Sequence, residues 1–260
     1  MKALYSLSCG SVILAAVVCS PIASAAPAAK KSAIPRMGDV VQVPQMTEKI
    51  SRSSSWDQIY SAFSKCPEMR FGQYWIPKSA SSKSKAPAIT PAGARVGWKG
   101  NTMYILATVK DADLHTTADK HNLRLWELGD VVEIFLGVPG SPSYIEYQYA
   151  PNGAVLKVFW PSIKDIQHAG DDKEFPKFFA KESASWSQIF KLEDGWAVCV
   201  AIPASVLRTN GKPLAGLTWE GSICRYDAGG ARAGEPTSVS PLRYLSFHDR
   251  EAWLKFHFQP

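Results

Sequence analysis

The feature that most constrains this chain is a succession of short runs rich in β-branched and aromatic residues. They are "ARVGWKG", "TMYILATVKDAD", "DVVEIFLGV", "SYIEYQYAPNG", "VLKVFWPS", "GWAVCVAIP", "LTWEGSICRYD" and "WLKFHF", with turn residues between them. Helical periodicity is scarce: "WDQIYSAF" and "PASVLRTNG" each suit one or two helical turns. Many short strands without long helices predict an all-β fold, a two-sheet antiparallel β-sandwich of immunoglobulin-like or jelly-roll-like type.

One run raises a chemical question. In "LWELGDVVEIFLG", strand alternation sends Val132, Ile134 and Leu136 to one face and Val131, Glu133 and Phe135 to the other. The first face is core. On the second, Glu133 must reach solvent from a concave surface or be held by donors, because an unpaired buried carboxylate is very costly. Trp126 stands just before it.

The chain opens with a lysine, an apolar run from Val12 to Cys19 and "ASA" ending at Ala25, the pattern of a secretory signal peptide (residues 1–25) cleaved after Ala25. The run is shorter than the roughly twenty residues of a membrane span. An exported protein without a membrane span is expected, periplasmic or extracellular. Residues 26–37, "APAAKKSAIPRM", read as a flexible linker, and residues 38–260 as one sandwich domain. That domain holds 25 Lys and Arg against 23 Asp and Glu, a net of +2, so no nucleic-acid partner is expected. "SASSKSK" (79–85) reads as a loop.

Cleavage leaves Cys66, Cys199 and Cys224. An oxidised Cys199–Cys224 pair and three buried thiols are both open to an exported chain. The sequence holds no GxSxG, HExxH, phosphate-binding glycine loop or EF-hand pattern, so no enzyme is expected. His248 and Asp249 are strand-like neighbours that point apart, and the acids Glu127, Asp130 and Glu133 form only the loose grouping of any acid-rich turn. In "KDAD", Asp111 and Asp113 offer hard oxygens that suit a structural Ca²⁺, although an Asp-rich turn bonding its own backbone is the reading the residues favour.

The order of these signals resembles the carbohydrate-binding module family 9-like domains (CBM9-like), within the broader DOMON-like β-sandwiches. The matching segments are "ARVGWKGNTMYILATVKDADL", "LWELGDVVEIFLG", "YIEYQYAPNGAV", "WAVCVAIPASVL" and "WEGSICRYD", spread over residues 94–258. The resemblance implies a non-catalytic domain that binds a glycan at one end of the sandwich, in support of carbohydrate catabolism. The sugar would lie between two tryptophans, with a glutamate on its hydroxyls. Trp126 and Glu133 match the first tryptophan and the glutamate, with one extra residue between them. A pyranose has apolar C–H faces and a rim of hydroxyls, so an aromatic platform beside a carboxylate suits it.

Several positions depart from that pattern. Val239 stands where the second tryptophan is expected. Gln148, set opposite Glu133 by hairpin pairing, replaces a basic partner. Ser222 replaces an Asn while Arg225 is kept, and Cys199 stands where a Glu is expected. The expected sugar-binding set is thus Trp126, Glu133, Gln148 and Arg225. Two alternatives follow from the same resemblance: a b-type haem domain with Met103 and His115 or His248 as ligands, and a structural domain whose sugar site has decayed. Trp98, Trp196 and Trp219 are expected in the core, and Trp253 caps either core or site.

Overall fold

The computed structural model describes residues 35–72, 90–206, 212–229, 234–241, 243 and 246–260. The expected signal peptide, most of the expected linker and residues 79–85 lie outside them. The described strands are β1 (Val40–Val43), β2 (Glu68–Arg70), β3 (Ala92–Lys99), β4 (Thr102–Lys110), β5 (Val131–Gly137), β6 (Tyr144–Tyr149), β7 (Val155–Trp160), β8 (Trp186–Leu192), β9 (Gly195–Pro203), β10 (Thr218–Asp227), β11 (Glu235–Ser238) and β12 (Leu254–Phe258). Among the described residues they form two sheets. One runs β1-β12-β10-β5-β6-β7, with β11 also on β10; the other runs β2-β3-β4-β9-β8. Pairing is antiparallel except at one edge, where β1 joins β12 in parallel.

The core between the sheets is built by period-two alternation. Val132, Ile134 and Leu136 of β5 meet Val96, Ile105, Val198 and Val200 from the other sheet. Trp98, Trp196 and Trp219 are buried there as expected, and so is Val239. At about 25 cal/mol per Å² of apolar area removed from water, this layer is the main stabilising element of the fold.

Each sheet also has an outer face, and each is covered differently. Among the described residues the five-stranded sheet carries one α-helix, α1 (Trp56–Ala62). Ser55 and Gln58 start it with a reciprocal capping box. Ile59 and Ala62 then bury against Tyr104, Leu106 and Cys199. Among the described residues the seven-stranded sheet carries no helix of this kind. Loops containing short 3₁₀ turns fold across it and form a second apolar cluster with Val131, Phe135, Tyr144, Trp160 and Cys224.

This arrangement decides the cysteine question. Cys199 faces α1 on one sheet and Cys224 faces the loops on the other, so the whole sandwich lies between them. All three thiols are free and buried, and burial pushes Cys66 up to about 11. Among the described residues no helix is long and apolar enough to cross a membrane.

Candidate functional site

The loops do not seal the outer face of the seven-stranded sheet. They leave a pocket of about 460 Å³, floored by Glu133 and Glu146 and walled by Trp126, Trp160, Tyr226, Phe247 and His248. Its volume lies within the range of roughly 300–1,000 Å³ common to small-ligand sites.

The strands set the floor. In the β5–β6 register Glu133 lies opposite Gln148 and Phe135 opposite Glu146, so the two glutamates are diagonal neighbours on one face. Gln148 is fully buried beneath them, and its Nε2 donates to Glu146 Oε1 (2.5 Å) and Glu133 Oε2 (3.3 Å). Trp160 Nε1 also donates to Glu146 Oε2 at 2.6 Å. Burial, reinforced by the neighbouring Glu146, holds the Glu133 carboxyl well above the usual carboxylate range.

Loops bring up the walls. Trp126 rides on the 3₁₀ turn Leu125–Glu127, whose Leu125 is buried below. That turn is tied down by Thr117 N–H to Leu128 O and by Asp130 N–H to His115 O. Gly129 is required at this join: at φ +152° its place for a Cβ lies 2.3 Å from His115 O. Arg124 completes the anchor, donating to Ala169 O and pairing with Asp172. Trp126 itself is half-buried, its edge against Phe175.

On the far side, Trp253 lies in the apolar cluster below and donates its indole N–H to Phe247 O, which props the Phe247–His248 wall. Arg250 fixes the same loop by donating to Ser141 O. His248 Nδ1 pairs with the Tyr144 hydroxyl at 2.7 Å, and its Nε2 is 3.7 Å from Glu146 Oε2. Burial lowers the His248 pKa against the pull of Glu146.

Of the expected sugar-binding set, the structure brings Trp126 and Glu133 to the same pocket, with Gln148 as the buried support between the acids. Arg225 is a correction. It lies opposite Val132, whose side chain is in the inter-sheet core, and therefore points to the other side of the sheet. There it pairs with Asp227 and approaches Asp111 at 3.5 Å. The pocket also opens on a sheet face, where the end of the sandwich was expected, because the loops after β4, β7 and β11 fold back across the strands. Val239 is no substitute for a second tryptophan. It packs in the core, and Trp160 and Phe247 supply the further aromatic walls.

Asp111 and Asp113 also part company. Asp111 gathers with Asp130 and Asp227, one oxygen of each lying within 4.8 Å of the others, all three buried. Asp113 is exposed and outside that group; its N–H donates to Asp111 Oδ1, the Asp-turn arrangement. Burial and the neighbouring Asp130 raise Asp111 to about 6. Met103 is buried between the sheets, His115 is exposed and His248 lies beyond the other sheet, so the structure brings no Met103–histidine pair together.

Sequence reasoning missed Glu146, Trp160, Tyr226, Phe247 and His248. Glu146 was within reach, since in "YIEYQY" it shares the parity of Gln148, already set opposite Glu133. In the sequence His248 stands only as a candidate triad member or haem ligand, and Phe247 comes from the same loop with no local signal of its place in the pocket.

No protein-family model matches this sequence, and no curated protein does. Solved structures do. A candidate carbohydrate-binding protein from Bacteroides uniformis ATCC 8492 aligns over 85% of this chain and 100% of its own, at 16% identity and a TM-score of 0.63. A family 9 carbohydrate-binding module from Caldicellulosiruptor kristjanssonii, solved with cellotriose, covers 85% of this chain and 94% of its own at 16% identity and a TM-score of 0.56. The same organism's module solved with glucose matches at 15% identity and a TM-score of 0.56, covering 85% and 96%. At such identity the likeness establishes the fold.

Proposed function

We propose that this chain, which shares the fold of a family 9 carbohydrate-binding module, is an exported, non-catalytic glycan-binding protein whose site is the pocket over β5 and β6. The observation that carries this reading is the meeting of Trp126 and Glu133 in one pocket, although they come from different elements. The half-buried indole offers an apolar face to a pyranose ring. Floor carboxyls and the Tyr226 hydroxyl offer partners to the ring hydroxyls. The fold neighbours solved with cellotriose and glucose support a saccharide as the ligand class. The signal-like N-terminus of the sequence supports export.

A structural Ca²⁺ belongs to the same proposal, at Asp111, Asp130 and Asp227, with Asp113 left out. Three buried carboxylates exceed the single charge of Arg225, and hard oxygens suit that ion. A glycan array followed by calorimetric titration of the best ligand tests the main reading. Saturable binding that weakens at least about tenfold in Trp126→Ala is expected, and a protein that retains no saccharide on the array overturns it.

A further inference from the structure

The pocket floor is more acidic than recognition of neutral hydroxyls requires. Glu133 and Glu146 are side by side, 5% and 2% exposed, and share one amide donor. Where the family resemblance implies a basic partner, this chain has the neutral Gln148. The pocket's histidine supplies no countercharge, since burial keeps His248 neutral near pH 7. Among the described lining residues there is no Lys or Arg. Around this floor stand four aromatic side chains, Trp126, Trp160, Tyr226 and Phe247, whose ring faces attract cations.

We propose that the pocket selects a sugar bearing a protonated amine, a hexosamine left unacetylated, whose ammonium sits on Glu133 and Glu146 while its ring lies against Trp126. The inference rests on the glycan-binding reading above and narrows its ligand class. An ammonium has three donors and no acceptor, matching the two acid side chains that line the pocket. A uronic acid would meet like charge.

One consequence follows for protons. Burial and the neighbouring Glu146 push the Glu133 carboxyl towards its protonated form, and an arriving ammonium favours the ionised form, so binding is expected to be coupled to proton release. The titratable groups facing Glu133 are Glu146 of β6, Cys224 and Tyr226 of β10, and His248 of the 246–253 loop, with Tyr144 behind His248. Burial holds the Cys224 thiol in its protonated form, which leaves Glu133 as the source of the proton.

The test is calorimetric titration of the exported protein with the glucosamine trisaccharide, its N-acetylated counterpart and cellotriose, in two buffers of different ionisation enthalpy. The amine ligand is expected to bind at least about tenfold tighter than either neutral one, the factor supplied by one charge-assisted hydrogen bond. Its enthalpy should depend on the buffer, reporting proton release. In Glu133→Gln/Glu146→Gln the preference should fall towards one; either single substitution carries the test if the double variant does not fold. Equal or tighter binding of cellotriose or the N-acetylated sugar overturns the inference and leaves the glycan-binding reading intact. Failure of all three to bind overturns the inference, and the array result then judges the broader reading separately.

Discussion

The two faces of β5 run along one backbone and differ in almost everything else. Inward, Val132, Ile134 and Leu136 are fully packed against the other sheet. Outward, Val131 and Phe135 pack against loops, while Glu133 between them faces a pocket. A sheet can only cover another sheet's inner face completely, because both are regular surfaces of matching pitch. Loops cover an outer face irregularly, and the irregularity leaves room for a ligand. The contrast teaches that a carboxylate on a buried strand is tolerable where loops, and not a second sheet, form the lid.

The largest expected effect lies inside. Ile134→Ala should cost about 2–5 kcal/mol of stability by leaving a cavity between the sheets. Urea denaturation measures it, and the affinity of the remaining folded protein should hold within about twofold. A loss of affinity as large as the loss of stability would break the separation of the two faces.

Outside, Trp126→Ala should weaken glycan binding at least about tenfold, or roughly 1.4 kcal/mol, with little change in melting temperature. If stability instead falls by about 3–5 kcal/mol while affinity holds, Trp126 is packing against Phe175 and the platform reading fails.

Glu133→Gln sharpens the comparison through pH. The carboxyl's folded pKa is raised above its ordinary 4.5. Between those two values the native state holds more protons than the unfolded chain, so stability falls as pH rises. An uncharged amide does not share that loss. Thermal melts from about pH 4 to 8 should therefore show the variant gaining on the parent as pH rises. A constant gap would mean that Glu133 is already ionised in the fold.

The smallest effect concerns the acid cluster. Added Ca²⁺ should raise the melting temperature, with the concentration dependence of mass action, and chelation should reverse it. Asp130→Asn should abolish the response. An unresponsive parent protein would leave Arg225 as the cluster's own counterion.

Eight of the described strands were legible as β-rich runs, and they are the well-buried ones. Four were not. β8, "WSQIFKL", is half-buried along almost its whole length and has no clean alternation. β1, β2 and β11 span three or four residues, and β11 has Pro236 at its second position. Such segments become strands because a partner edge is available, as β12 is for β1. Of the site, Glu133 and the Gln148 pairing were legible because a hairpin fixes the register of its own two strands, while Trp126 came from the family resemblance. Arg225 was expected only from the family resemblance, and no local pattern shows its face: β10 reaches β5 across some ninety residues, and a shift of one residue in that register reverses every side chain.

What the sequence alone determined is therefore local: which residues alternate, where the turns fall, and that Glu133 and its hairpin partner share a face. Period two is a property of the extended backbone and needs no partner to be read. Only the tertiary structure decided which loop covers which face, and so which residues join Glu133. Glu146, Trp160 and His248 come together because hairpin pairing, the β7 edge and the loop before β12 converge at one place on the sheet. That convergence minimises exposed apolar area over the whole chain, a sum over distant contacts that no short stretch of sequence contains.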